Sequence, residues 1–339
     1  MIQLEYRDPR RSVESVMFLP DVSRGLSPRQ VPFVRDGSVW RLQFPRPPAD
    51  RLEYLLELRF RNGRTTRIPD PANPLRAPGP FGDKSVLELP GYRAPAWLDA
   101  DAPRGETTDL AVRSRPFRRD VPIRLWAAAG TAPAEELPLL VVHDGPEADE
   151  YGSLTLFLDE LVAARRVRPF RAALLQPLER NDHYSASAAY ARTLAWDVLP
   201  ALPAPRRRRH RAGLGLSLGA LALLHAHRRH PETFGALFLQ SGSFFRLATD
   251  RQERGFPRFE RISRFVGKVL RGEDAEPIPV TLTCGLAEEN LANNRAVAAA
   301  LVAQGYNVRL AEVRDAHTWT GWRDAWDPWL ADLLARVWA

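Results

Sequence analysis

Gly215-Leu216-Ser217-Leu218-Gly219 is the stretch on which the reading of the whole chain turns. It follows the apolar run Arg211-Ala212-Gly213-Leu214 and opens an Ala/Leu-rich segment that runs to His230. A strand, a sharp turn with serine at its apex and then a helix is the setting in which G-x-S-x-G presents a nucleophile. The glycines let the chain turn tightly and put a helix N-terminus behind the hydroxyl. Taken alone the motif is weak, because glycine and serine are ordinary loop residues. Its meaning depends on whether the chain supplies a histidine and an acid in the right places.

The chain has 339 residues, enough for two ordinary domains or one large one. Its hydrophobic fraction of 45% is that of a globular protein with a sizeable core. It contains no run of about 18 apolar residues, so no membrane span is expected. Met1 to Arg7 has neither the basic nor the apolar region of a secretory signal. Cys284 is the single cysteine, and Cys/His pairs at zinc spacing are missing. These features predict a cytoplasmic protein without a metal or cofactor.

The net charge is +7, carried almost wholly by arginine, with Lys84 and Lys268 the lysines. The run Pro205-Arg206-Arg207-Arg208-Arg209-His210-Arg211 is the sharpest basic patch. Nucleic-acid binding would need aromatic residues interleaved with the basic ones, or a known reading motif. Neither is present, so the run is read as a solvated loop, and no nucleic-acid partner is expected. A basic surface still favours acidic small molecules.

Residues 1–100 hold short β-type runs, among them Ser15 to Leu19, Val39 to Phe44 and Arg51 to Phe60. Asn62-Gly63 is a hairpin turn between the last of these and Thr65 to Ile68. Together they predict a small all-β sandwich. The Pro-, Ala-, Asp- and Gly-rich stretch from Leu89 to Gly105 is the expected boundary. From residue 106 to 339 strand and helix patterns alternate, which predicts a mostly parallel sheet with helices on both faces. Its strands fall at Val121 to Ala127, Leu137 to His143, Phe170 to Leu175, before Ser217, Ala236 to Gln240, Val280 to Cys284 and Val308 to Val313. The arginine-rich segment 251–271 reads as a partly helical insertion, and Pro328 as the start of the C-terminal helix.

In open α/β sheets, function collects at the carboxyl ends of the strands. His225, His227 and His230 lie in the helix after Ser217 and are expected to point away from it or into solvent. His210 precedes its strand, His183 lies in a loop, and His143 comes before the serine. His317 alone follows the last strand, as the base does in the order serine, acid, histidine. The acid belongs after the strand ending at Cys284. Glu288 is the first choice there, and Glu289, better suited to a helix first turn, is the alternative. For the oxyanion, the N–H of Leu218 is one expected donor and that of Gly145 the other, since Pro146 has none.

Several ordered stretches resemble the enterochelin (enterobactin) esterases and their esterase D-like relatives. They are Val141-Val142-His143-Asp144-Gly145, Arg180-Asn181-Asp182-His183-Tyr184, Gly215 to Gly219, Leu239-Gln240-Ser241-Gly242-Ser243, Gly285 to Arg295, and His317-Thr318-Trp319-Thr320-Gly321-Trp322-Arg323. The resemblance covers most of residues 106–339. It implies an α/β-hydrolase domain preceded by an immunoglobulin-like early-set domain, and a serine hydrolase acting on carboxylic esters. Its best-known members cleave the trilactone of ferric catecholate siderophores. Carried over by position, Ser217 is nucleophile, His317 base and Glu288 acid. Arg180 becomes a contact for an anionic substrate, Trp319 and Trp322 pocket or support residues, and Ser241 and Ser243 structural. His183 and Pro146 depart from the family pattern and leave the substrate open. A general carboxylesterase and a binding protein on a hydrolase fold are the competing readings.

Overall fold

The computed structural model describes residues 1–22, 31–203, 205 and 207–339; Arg206 of the basic run lies outside them. The chain divides into two units. One is Met1–Arg93 with Gly285–Glu289 and Glu312–Gly321, the other Ala94–Cys284 with Asn290–Ala311 and Trp322–Ala339.

The first unit carries β1 (Ile2–Arg7), β2 (Val13–Pro20), β3 (Val31–Pro32), β4 (Val34–Asp36), β5 (Val39–Phe44), β6 (Arg51–Phe60), β7 (Thr65–Ile68), β8 (Arg76–Ala77) and β9 (Lys84–Glu88). They form a sheet of order β1-β5-β4 and another of order β3-β2-β6-β9-β8, with β7 also on β6. In β5 Trp40, Leu42 and Phe44 are buried while Arg41 and Gln43 are exposed, the period-2 pattern of a strand with one wet face. Its core joins Phe18, Phe44, Leu52 and Tyr54 and takes in Ala287 and Ala316 from the two later segments. Those segments are also tied in by polar contacts. Asp50 N–H donates to the Arg314 carbonyl at 2.8 Å, and Arg314 Nε meets the Asp50 carboxylate at 2.9 Å.

Most of the second sheet system belongs to the other unit. Its strands are β10 (Glu106–Ser114), β11 (Arg119–Ala127), β12 (Leu139–His143), β13 (Arg171–Leu175), β14 (Arg211–Leu216), β15 (Ala236–Gln240), β16 (Pro279–Gly285) and β17 (Asn307–Val313). They lie in the order β10-β11-β13-β12-β14-β15-β16-β17. β10, β11 and β13 pair antiparallel, and β13-β12-β14-β15-β16 pair parallel. The parallel strands read as continuous apolar runs because helices cover both their faces. The α-helices among the described residues are α1 (Gly145–Gly152) and α2 (Leu154–Ala163), then α3 (Arg180–His183), α4 (Ala188–Thr193) and α5 (Leu199–Ala201), α6 (Leu218–Arg229), α7 (Phe259–Arg271), α8 (Leu291–Ala303), α9 (Trp319–Asp324) and α10 (Ala331–Val337). α6 is buried along nearly its whole length, and from Leu218 to Leu224 it holds only Leu, Ala and Gly.

Four details sharpen the sequence reading. Of the two placements expected for the α6 histidines, His225 and His227 take the one away from Ser217, in the core: the His225 ring stands edge-on to Phe265, and His227 Nε2–H donates to the Glu276 carbonyl at 2.7 Å. The insertion contains the full helix α7, whose Phe259, Ile262, Phe265, Val266 and Val269 are buried. Within the expected boundary, Trp97 is buried against Phe157, ring centres 5.1 Å apart. At the C-terminus Asp327 is extended (φ −104°, ψ 122°) and the chain is helical from Pro328 onward into α10, as the sequence predicts.

Candidate active site

β14 delivers Ser217 at φ 54°, ψ −117°, and α6 starts at the next residue. A serine in this sparsely populated region costs about 1–3 kcal/mol, which the surrounding contacts must supply. Ser217 N–H donates to the Gln240 carbonyl at 2.8 Å, and its own carbonyl accepts from Ser243 N–H at 3.1 Å. A Cβ on Gly215 would lie 2.5 Å from the Gly219 carbonyl oxygen, so the turn closes only with glycine there. Leu218 is the first residue of α6, where a backbone N–H has no acceptor within the helix.

The segment after β12 lies in the same unit. Asp144, in the left-handed region at φ 51°, ψ 38°, precedes Gly145 at the start of α1. A Cβ on Gly145 would approach Leu174 Cα to 2.4 Å, so this segment also needs its glycine. The Asp144 carboxylate is buried and takes both Nε (2.8 Å) and Nη2 (2.6 Å) of Arg180. Arg180 is therefore committed to a bidentate ion pair, the strong form of this interaction, and its charge is largely compensated. It also lines a cavity of about 420 Å³ with Glu179, Asn181, Asp182, Pro257 and Arg258.

His143, which precedes the serine and so falls outside the serine, acid, histidine order, supports the turn from beneath. It is fully buried. Its Nδ1–H donates to the Gly219 carbonyl at 3.0 Å, and Tyr190 O–H donates to its Nε2 at 2.9 Å. Burial pushes its pKa down to about 3 against the pull of the Gly219 hydrogen bond, so the ring is neutral. Both ring nitrogens are thus assigned structural partners, with Tyr184 stacked at 4.6 Å.

Glu288 and His317 come together in the first unit. His317 Nδ1 and Glu288 Oε2 are 2.8 Å apart, with the Glu288 side chain 2% and the His317 side chain 36% exposed. The other carboxylate oxygen of Glu288 accepts from Gly285 N–H at 2.8 Å. A buried carboxylate with both oxygens occupied fixes the histidine tautomer that carries its proton on Nδ1. Of the two candidate acids, it is Glu288 that meets His317. The segments are held by Leu286 N–H to the Val313 carbonyl at 2.8 Å and Ala287 N–H to the Asp315 carbonyl at 3.2 Å.

Trp319 is half-buried in the same unit as His317. Trp322 is 8% exposed, donates from Nε1 to Ser241 Oγ at 3.0 Å and accepts from Gln240 Nε2 at its carbonyl, also 3.0 Å. These bonds tie Trp322 to the end of β15 and to the loop that follows it. Ser243, read as structural, has its Oγ 3.0 Å from Ser217 Oγ. The carboxyl-end rule that found His317 applies equally to Ser243, which lies just beyond β15. Among the described residues, no three His, Cys, Asp or Glu side chains gather as metal ligands.

An open, largely parallel sheet with a serine at a strained strand-to-helix turn defines an α/β-hydrolase. The chain belongs to the putative esterase family, whose model matches residues 118–337. It is 27% identical over 308 residues to the iron(III) enterobactin esterase of Escherichia coli strain CFT073, covering 85% of this chain and 74% of that one. In fold it is similar to the enterobactin esterase of Shigella flexneri crystallised in the presence of enterobactin, with a TM-score of 0.78, 21% identity, and 99% and 92% of the two chains covered. The ferric enterobactin esterase of Salmonella typhimurium superposes with a TM-score of 0.77 at 20% identity, covering 99% and 93%. Among the described residues, no helix is long and apolar enough to cross a membrane.

Proposed function

We propose that this esterase works by acyl transfer through Ser217, with His317 as base and Glu288 as acid, and that its substrate is a ferric siderophore ester of the trilactone class, met in the cytoplasm. The observation that carries the mechanism is the strained serine at the strand-to-helix turn, φ 54°, in a family of esterases. In the first half-reaction the Ser217 hydroxyl proton passes to His317 Nε2 as Oγ bonds to the acyl carbon. Glu288, already on Nδ1, stabilises the imidazolium. The N–H groups of Leu218 and Gly145 are the donors for the oxyanion. His317 returns its proton to the leaving alkoxide, and a water repeats the sequence to release the acid. In a cyclic triester each such cycle opens one ester bond, and the bound iron is part of the substrate.

The substrate class rests on the relatives, which are named as esterases of iron(III) enterobactin. The net charge of +7 suits an anionic complex. Hydrolysis of p-nitrophenyl butyrate and of a ferric trilactone siderophore by wild type and Ser217→Ala tests both parts. The expected result is turnover of both by wild type and a loss on the order of 10⁴-fold or more in the variant. Equal rates in the two proteins contradict the mechanism. Turnover of the simple ester alone reassigns the protein as a general carboxylesterase.

A further inference from the structure

The loop Ser241-Gly242-Ser243 leaves β15, the neighbour of β14 in the sheet. Each of its residues is tied down. Ser241 has φ 49°, gives its N–H to the Thr283 carbonyl at 2.8 Å and accepts Trp322 Nε1–H at Oγ. Gly242 is gripped from both sides by one amide: its N–H donates to Asn294 Oδ1 at 3.0 Å, and its carbonyl accepts from Asn294 Nδ2 at 3.1 Å. Asn294 is fully buried. The product of this bracing is the position of Ser243. Its N–H donates to the Ser217 carbonyl at 3.1 Å, and its hydroxyl, with the residue 4% exposed, lies 3.0 Å from Ser217 Oγ.

We propose that Ser243 is a further catalytic residue: its hydroxyl holds the Ser217 oxygen in place and donates a hydrogen bond to it as charge develops there. This rests on Ser217 being the nucleophile. The Ser217 proton leaves for His317, and the electron pair of that O–H bond becomes the Oγ–acyl bond. Ser243 keeps its own proton throughout. A hydroxyl is too weak a base to take the Ser217 proton, so a donor role is the one open to it. Hydrogen bonds to a charged acceptor are about twice as strong as neutral ones. The contact is therefore worth more when the oxygen is partly anionic than in the resting enzyme, which is the condition for raising kcat.

The test uses the full chain with Ser243→Ala, Ser243→Cys and Ser243→Thr, read by p-nitrophenyl butyrate kinetics and by the rate of fluorophosphonate labelling. Loss of a hydrogen bond to a charged group predicts kcat lower by about 10- to 100-fold in Ser243→Ala, with KM within about twofold. Ser243→Cys, near-isosteric with a much weaker donor, falls in the same direction and gives the answer should the alanine variant be unstable. Ser243→Thr, which keeps the hydroxyl, recovers most of the rate. Wild-type kcat in Ser243→Ala or Ser243→Cys overturns the proposal, as does a rise in KM alone or equal impairment of the Thr and Ala variants. Ser217→Ala separates the two ideas. If it is inactive and unlabelled while Ser243→Ala is fully active, the Ser243 role alone fails. If Ser217→Ala stays active, the nucleophile assignment fails and takes this proposal with it.

Discussion

The serine turn and the Glu288–His317 pair are held in place by different means. Ser217 is fixed by backbone: a strained φ, a glycine close approach, and main-chain hydrogen bonds to Gln240 and Ser243. Its supports come from strands and helices of one sheet system. Glu288 and His317 sit on two segments that cluster with the N-terminal β unit. Ala287 and Ala316, their immediate neighbours, are part of its hydrophobic core. Ser217 is thus held locally, whereas the segments bearing Glu288 and His317 are tied to distant residues such as Asp50, 264 positions from its partner Arg314. The N-terminal β unit thus includes the two segments, Gly285–Glu289 and Glu312–Gly321, that carry Glu288 and His317.

That contrast can be broken at the acid. Glu288→Gln keeps a buried acceptor for Gly285 N–H but loses the charge facing His317. Steady-state kinetics should show kcat lower by about 10³- to 10⁴-fold, the scale on which a triad acid acts through tautomer and charge. Glu289→Gln should stay within about twofold of wild type. A Glu288→Gln enzyme that keeps most of its activity would reduce the pair to a structural contact.

Acid should separate the two regions. His143, His225 and His227, all in the sheet-bearing unit, are pushed by burial to about 3, about 3 and about 4. Their folded values lie below the ordinary one, so between these values and about pH 6.5 the unfolded chain binds protons that the folded chain does not. Stability is then full above that range and falls as the pH drops through it. Going from pH 7 to pH 5 should remove up to roughly 2 kcal/mol per histidine, seen as a lower urea midpoint. A midpoint that does not move would contradict the buried, neutral state of these rings.

The smallest effect is expected at the framework itself. Asp50→Ala removes the ion pair to Arg314, whose side chain is 48% exposed, while the Asp50 N–H bond to the Arg314 carbonyl remains. Exposed pairs contribute about 0–1 kcal/mol, so kcat/KM should fall by less than about threefold. A drop as large as that of Glu288→Gln would mean that the segment bearing His317 hangs on this contact alone.

Legibility in the sequence follows the same division. The serine turn, the parallel strands and the buried helix behind them announce themselves in short windows, because strand and helix periods are local. So does β5, whose alternation matches its burial residue by residue. β10 escapes a sequence reading because it is a sheet-edge strand of mostly exposed polar residues, with little apolar pattern to read. α1, Gly145–Gly152, has no apolar stripe and starts from a left-handed Asp144. The sequence already favours Glu288 over Glu289; what it cannot express is the local turn at Glu288, whose N–H meets the Gly285 carbonyl at 3.2 Å. Ser243 lies at a strand's carboxyl end, where the sequence does point, but the bracing of its loop by Asn294, 52 positions beyond Gly242, is out of reach of a local reading. Trp322 stands open between pocket and support in the sequence, which cannot show its hydrogen bonds to Ser241 and Gln240 at the end of β15.

The central claim is that Ser217 is the nucleophile, and it is tested most directly by mass mapping of the adduct left by a fluorophosphonate probe. The account predicts a single modified peptide with the phosphonyl group on Ser217, and no adduct in Ser217→Ala. An adduct on another serine, or unchanged labelling of the variant, would contradict it.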